Sequence, residues 1–305
     1  MNTKGKVKAA AVQAAPVLPM DKAKTTEKIC DLISTIKAEK ADLVVFPETM
    51  LPMFPVFSLD LNRQNEWCCA LKELTEQSVY IDGDEINKVA KAINSAQAYV
   101  VLGISEREGA ANLYNSQVFF DPNGKIIGRR RKIFPSNREK AIWASGSGAD
   151  IQVLDTNIGK IGGLICYEHL QPLLRYANMS LGEQIHCAAW PGWPHVDGFR
   201  SNKHVIDASA RQYALEGQCF VIISSLYIPP SNIPEEQMLN SSWAFFGGSG
   251  IIRPNGEYTA GPIYDKEAIL YGELDLDEIL LRKTLIDTVG RDMRQEIFHF
   301  SWERN

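Results

Sequence analysis

With 305 residues, 45% of them hydrophobic and 23% charged, the chain can bury a large core, as one big domain or two smaller ones. Its net charge of −5 gives no general attraction to nucleic acid or to an anionic membrane, and no stretch approaches the roughly 20 apolar residues that span a bilayer. The N-terminal Met1-Asn-Thr-Lys-Gly-Lys6 runs into a strand pattern without an apolar leader, and six cysteines, only Cys68 and Cys69 of them close in sequence, read as reduced thiols, so cytoplasm is the expected location.

β-like and helical patterns alternate from end to end. Residues 7–15 form an apolar strand closed by Pro16, and 21–40 form a helix with apolar residues at Ile29, Leu32, Ile33 and Ile36. The β-branched run 42–47 suits a buried strand, a less regular stretch follows, and 84–97 is a second helix before the strand 99–105. Two hairpins are expected, one over 113–132 turning at Asp121-Pro-Asn-Gly124 and one over 151–165 turning at Asp155-Thr-Asn-Ile-Gly159. Helix 170–181, strand 185–190, helix 203–216 and a strand opening at 219 come next, then strands at 250–253 and 268–274 and a short helix over 277–282. No repeat or linker interrupts this order, so 1–286 reads as one α/β domain and 287–305 as a C-terminal tail that packs on something else.

Three strands end in a reactive side chain: Leu43-Val-Val-Phe-Pro-Glu48, the basic run Arg129-Arg-Arg-Lys132, and Gly162-Gly-Leu-Ile-Cys166. Cys166 precedes a helix whose first turn suits Pro172, and a thiol in such an elbow faces backbone N–H groups that favour the thiolate. The bland alternative, a small buried thiol, is assigned to Cys30, Cys187 and Cys219. A carboxylate ending a very apolar strand is costly unless paired or protonated, and burial raises its affinity for a proton toward the range of a general base at neutral pH. Taken singly, Glu48 reads as a solvated strand-end charge and Lys132 as the last member of a solvated basic edge. Brought together, a thiol, a carboxylate and an ammonium make a nucleophile, its activator and an electrostatic clamp.

Phe46-Pro-Glu48, Arg130-Arg-Lys132-Ile-Phe-Pro135 and Cys166-Tyr-Glu168 resemble, in order and spacing, the three signature blocks of the nitrilase superfamily. The run Cys166-Tyr-Glu-His-Leu-Gln-Pro-Leu173, the segment Pro135-Ser-Asn-Arg-Glu139-Lys with Trp143, and Glu183-Gln-Ile-His-Cys187 resemble its nitrile-hydrolysing branch, and the likeness runs from about residue 7 into the tail. The resemblance implies a four-layer α-β-β-α sandwich with mixed sheets that dimerises through helices, with the tail at the oligomer interface. It implies that Cys166 is the nucleophile, Glu48 the general base and Lys132 the stabiliser of the tetrahedral species, with Glu139 as a second glutamate beside Lys132. The partner it implies is a small nitrile, and no metal or organic cofactor is called for.

Some residues depart from that pattern. Tyr167 stands where nitrile-hydrolysing relatives carry Trp, Asn137-Arg-Glu139-Lys replaces Tyr-His-Glu-Arg, and the tail reads Gly290-Arg-Asp-Met-Arg-Gln295. Tyr167, Phe54 and Trp190 are the expected substrate contacts, and the segment from Pro191 through Trp193 to His195 is a further pocket candidate. Phe246-Gly-Gly-Ser-Gly250 lacks phosphate-loop spacing, the histidines lack zinc-ligand spacing, and the sequons at Asn178 and Asn240 lack a secretory context; His169 is read as shaping the pocket. The alternatives to nitrile hydrolysis are an amidase or carbamoyl-amide hydrolase using the same residues, hydration of cyanide to formamide, and an oligomeric scaffold whose Cys166 is only redox-labile.

Overall fold

The β-branched and alanine-rich runs of the sequence are buried on both faces, and such strands need cover on both sides. The computed structural model describes residues 5–55, 64–192, 203–232 and 245–304. Its first half contains β1 (Lys6–Gln13), α1 (Lys22–Ala38), β2 (Leu43–Val45), α2 (Gln64–Gln77), α3 (Asp84–Ala96), β3 (Tyr99–Glu108), β4 (Asn112–Phe120) and β5 (Ile126–Arg131). The second half contains β6 (Leu154–Thr156), β7 (Gly159–Ile165), α4 (Pro172–Ser180), β8 (Ile185–Trp190), α5 (Lys203–Gly217), β9 (Phe220–Ser225), β10 (Tyr227–Ile228), β11 (Phe245–Ile252), β12 (Tyr258–Tyr264), β13 (Ala268–Asp275) and α6 (Asp277–Lys283).

Two mixed sheets result. One runs β13-β1-β2-β3-β4-β5, the other β10-β11-β9-β8-β7-β6 with β12 on β11. Each has a parallel centre, β1-β2-β3 and β7-β8-β9, because α1 and α3, or α4 and α5, carry the chain back across one face. Side chains alternate across each strand. Ala9, Ala11, Leu43 and Val45 meet Ile161, Ile185, Cys187 and Ile222 between the sheets. The neighbours Ala10, Val12 and Val44 face Ile29, Ile33 and Val89 of α1 and α3, while Leu164, Ala188 and Val221 face Leu174 and Ala210 of α4 and α5. The layers are therefore helix, sheet, sheet, helix, the expected α-β-β-α sandwich, with the parallel strands ending along one edge.

Several local expectations needed correction. The less regular stretch between 47 and 84 includes α2, in which Leu74 is buried while Cys68 and Cys69 stay exposed, so its apolar stripe is thin. β12 was not anticipated because Gly261-Pro262 breaks its pattern; it is an edge strand, where a missing N–H is tolerated. The glycine-rich 246–250 is the buried strand β11, and Cys219 lies one residue before β9 in the core rather than on a strand. Beside these corrections, the C-terminal tail has contacts with α5 and α4: Thr288 donates to the Glu216 carbonyl at 2.6 Å, and the Phe300 ring meets Tyr176 edge-on at 5.0 Å. Among the described residues, no helix is long and apolar enough to cross a membrane.

Candidate active site

Glu48 is delivered by the end of β2. Phe46 donates its N–H to Val101 at 2.8 Å and so prolongs the pairing with β3, after which the chain turns sharply at Thr49, held in the left-handed region at φ 43°. Gly103 permits that turn, since a Cβ there would stand 2.1 Å from the Pro47 carbonyl oxygen. The Glu48 carboxylate is fully buried, and its Oε1 accepts from Asn115 Nδ2 at 2.7 Å and from the Lys132 ammonium at 2.8 Å.

The basic run 129–132 is not a solvated edge. Strand alternation splits it between two faces. Arg129 and Arg131 form the outer half and pair with Glu106, while Arg130 and Lys132 point inward and are fully buried. Arg130 pairs with Glu168 at 2.7 Å. Lys132, whose backbone N–H bonds the Asn115 carbonyl, bridges Glu48 and Glu139 at 2.8 Å to each. Glu139 sits in a 3-10 turn (Asn137–Ala141), and its Oε2 also accepts from the Ser136 N–H at 2.8 Å.

Cys166 follows β7 directly and opens a 3-10 turn (Cys166–Leu170) ahead of α4, so the helix expected from 170 begins two residues later, with Pro172 in its first turn. The cysteine is buried and holds φ 51°, a conformation that costs a non-glycine residue about 1–3 kcal/mol and persists only where surroundings enforce it. Glu168 is part of the enforcement. One carboxylate oxygen takes the Ile165 N–H at 2.9 Å, the other the Ile133 N–H at 2.8 Å, so one side chain ties the cysteine elbow to the lysine loop.

Donor atoms of Glu48, Glu139 and Cys166 lie within 4.8 Å of one another. That donor set could ligate a cation, but the Lys132 ammonium already lies between the two carboxylates and its charge opposes a metal there. Burial, with the neighbouring Glu139 charge, outweighs Lys132 and lifts the Glu48 carboxyl to about 7. Burial opposes the Lys132 charge, yet Glu139, Glu48 and Cys166 overcome it and hold the ammonium above its ordinary range. Burial also works against the Glu168 charge, and Arg130 more than offsets it, keeping that carboxylate low. Lys132 therefore stays cationic while a single proton can move between Cys166 and Glu48 without changing the charge of the cluster.

All four expected catalytic side chains thus meet in one buried group. The expected substrate contacts are more dispersed. Phe54 is buried between Trp143 and Phe245, with ring centroids at 5.7 and 5.9 Å, and Trp190, at the end of β8, stacks on His169 at 4.9 Å. The Tyr167 side chain is 46% exposed between two buried neighbours. Trp193, His195 and Asn240 lie outside the described residues. Sequence reading missed Asn115, whose signal was a polar Asn-Ser-Gln run within a strand otherwise apolar, and it gave Arg130 and Glu168 no role of their own.

The family model for carbon–nitrogen hydrolases matches residues 8–283. An aliphatic nitrilase of Rhodococcus rhodochrous is 33% identical over an alignment covering 97% of this chain and 82% of that protein. An arylacetonitrilase of Aspergillus niger is also 33% identical, over 97% of this chain and 89% of its own. Among solved structures, a carbon–nitrogen hydrolase from Helicobacter pylori shares the fold with a TM-score of 0.77 at 21% identity, covering 96% of this chain and 97% of that one.

Proposed function

Because this chain belongs to the carbon–nitrogen hydrolase family, we propose that it hydrolyses an organic nitrile to the carboxylic acid and ammonia through covalent intermediates on Cys166. The observation that carries this reading is the buried carboxylate–ammonium–carboxylate bridge of Glu48, Lys132 and Glu139 beside that thiol. Glu48 takes the thiol proton, the sulfur adds to the nitrile carbon, and the proton passes to nitrogen to give a thioimidate. Glu48 then draws a proton from water as its oxygen adds to that carbon. The nitrogen gains protons, the C–N bond breaks and ammonia leaves a thioester. A second water, activated in the same way, releases the acid and restores the thiol.

Lys132 has three N–H donors and spends two on the carboxylates, leaving the third for the developing negative charge, beside the backbone N–H of Tyr167. Glu139 keeps Lys132 charged and aimed. Tyr167, Phe54 and Trp190 are assigned to the substrate side of the site, where the aromatic neighbours of Phe54 favour an apolar or aryl group. The protein is assigned to the reducing cytoplasm, which keeps Cys166 a thiol, and to a homo-oligomer. Exposed Leu280, Leu281, Leu285 and Ile286, with the tail from 287, supply an apolar surface for a second copy. Sizing in dilute buffer is expected to give a dimer or a short oligomer; a monomer or a megadalton filament would overturn that assignment.

The test is ammonia release from a panel pairing each nitrile with its amide, including cyanide with formamide, with products separated and Cys166→Ala as control. Turnover of nitriles and not amides is expected. Turnover of amides alone would replace this reading with an amidase, for which Tyr167 is the sequence signal, and silence on both would return the scaffold reading.

A further inference from the structure

From the carbonyl of Cys166 a second buried polar chain runs through the molecule to α5. His169 Nδ1 lies 2.7 Å from the Cys166 carbonyl oxygen, and His169 Nε2 lies 3.0 Å from His186 Nε2 on β8. His186 Nδ1 lies 2.9 Å from Glu183 Oε1, and the Tyr213 hydroxyl of α5 donates to Glu183 Oε2 at 2.5 Å. All four side chains are buried. Gly162 makes room for the glutamate, since a Cβ there would stand 2.1 Å from Glu183 Oε1. The rings are held flat, His169 on Trp190 and His186 on Tyr213.

Hydrogen-bond chemistry gives this chain one direction. A carbonyl oxygen only accepts, so His169 Nδ1 carries hydrogen. Burial and the facing His186 keep His169 neutral, so its Nε2 is a lone pair and His186 Nε2 must donate to it. His186 Nδ1 and Glu183 Oε1 then share one proton, and Tyr213 satisfies the other carboxylate oxygen. Each tautomer is dictated by the next group outward.

Peptide planarity carries that order into the active site. The C=O of Cys166 and the N–H of Tyr167 belong to one rigid plane and point opposite ways, so fixing the oxygen aims the N–H. Donation into the carbonyl also polarises that amide and strengthens its N–H as a donor. We infer that His169, His186, Glu183 and Tyr213 are positioning residues that aim and polarise the Tyr167 N–H toward the negative charge formed when Cys166 adds to substrate. The inference rests on the proposed role of that N–H.

The test compares His169→Phe, Glu183→Leu and Glu183→Gln by steady-state kinetics and by the rate at which iodoacetamide alkylates Cys166, read by intact mass. Alkylation displaces iodide and develops no oxyanion, so it reports the thiol and not the N–H. His169→Phe is expected to lower kcat about 10²-fold, with KM and alkylation within about threefold of the unaltered protein. Glu183→Leu should behave likewise. Glu183→Gln should stay near wild type, because its amide can donate to His186 while its oxygen accepts from Tyr213. Unchanged kcat in the first two variants, or kcat and alkylation falling together, would overturn the inference. Should His169→Phe fail to fold, the Glu183 pair decides: equal behaviour of Leu and Gln would overturn it.

A third readout is independent of turnover. Cys166-Tyr167 is the only Cys-Tyr pair in the sequence, so carbonyl-¹³C cysteine with ¹⁵N-tyrosine gives one amide correlation for that peptide. Its movement in Glu183→Leu but not in Glu183→Gln is expected even if the protein turns over no nitrile, which would fault the substrate reading and leave the positioning chain standing. A peak that ignores both changes would overturn the chain itself.

Discussion

Two buried polar clusters meet at Cys166, and they differ in how completely they are satisfied. Around Lys132, several atoms are left without partners: Glu48 Oε2, Glu139 Oε1 and Asn115 Oδ1. In the chain from His169 to Tyr213, both nitrogens of each histidine, both oxygens of Glu183 and the tyrosine hydroxyl are all engaged. Unpaired buried polar atoms cost about 1–3 kcal/mol each, so a fold tolerates them where a ligand or water will complete the shell. A closed chain offers nothing to substrate and can only hold. This contrast fits the proposed division, in which the first cluster does the chemistry and the second fixes the geometry in which it occurs.

Removing the group both clusters serve breaks the comparison most severely. Cys166→Ala is expected to lower kcat by about 10⁴-fold or more while far-UV dichroism and Tm stay close to the parent values. Retention of substantial turnover would take the thiol out of the mechanism. Glu48→Gln removes the base from the open cluster, with an expected loss on the order of 10³-fold. The pH profile sharpens this. In its proposed role as base Glu48 acts as its carboxylate, and it is raised to about 7, so kcat/KM of the unaltered protein should fall as pH drops through that value. The residual rate of Glu48→Gln should be flat there, and an acid limb surviving in the variant would assign the titration to another group.

How legible each cluster was in the sequence follows from the same contrast. The open cluster was legible because Glu48, Lys132 and Cys166 each stand at a strand end, strand ends in α/β sheets face one edge, and their three blocks together resemble a family signature, whereas Glu48 and Lys132 read singly as solvated charges. Arg130 was less visible, although the period of two along β5 already separates Arg130 and Lys132 from Arg129 and Arg131. The closed chain was legible only as a fragment. Glu183 and His186 sit three residues apart, but His169 comes from the elbow and Tyr213 from α5, thirty residues beyond Glu183. Nothing local predicts that α5 packs so as to bring the hydroxyl to that carboxylate. α2 and β12, both read poorly, have thin or half-exposed apolar faces, where periodicity is weak.

Arg130 and Glu168 test the structural side next. Their pair is fully buried, and it links the lysine loop to the elbow through the Ile133 and Ile165 N–H groups. Arg130→Met strands a buried carboxylate, at an expected cost of about 3–5 kcal/mol, or a Tm lower by about 10 °C. The sign with pH is fixed by the depressed carboxyl of Glu168. A lowered folded-state value contributes stability above the unfolded carboxyl range and loses it as pH falls through the folded one. The gap in Tm between the parent and Arg130→Met should therefore be wide at neutral pH and narrow in acid. A gap independent of pH would mean that packing of the arginine stem, not its charge, holds the loop.

The finest separation between chemistry and positioning comes from Glu139, which holds the Lys132 ammonium at 2.8 Å. Its charge is one of the reasons Glu48 is raised, so Glu139→Gln should move the acid limb of kcat/KM to lower pH. The same change removes one of the two carboxylates that keep the ammonium in place, so kcat on the plateau should fall while KM changes little. The two effects have different origins and should part company in Glu139→Asp. There the charge is retained, so the limb stays near the parental position, but the shorter side chain cannot span the 2.8 Å contacts to both Lys132 and Ser136, and the plateau still drops. A limb that shifts equally in the Gln and Asp variants would show that Glu139 tunes Glu48 through geometry alone, and the open cluster would then resemble the closed one.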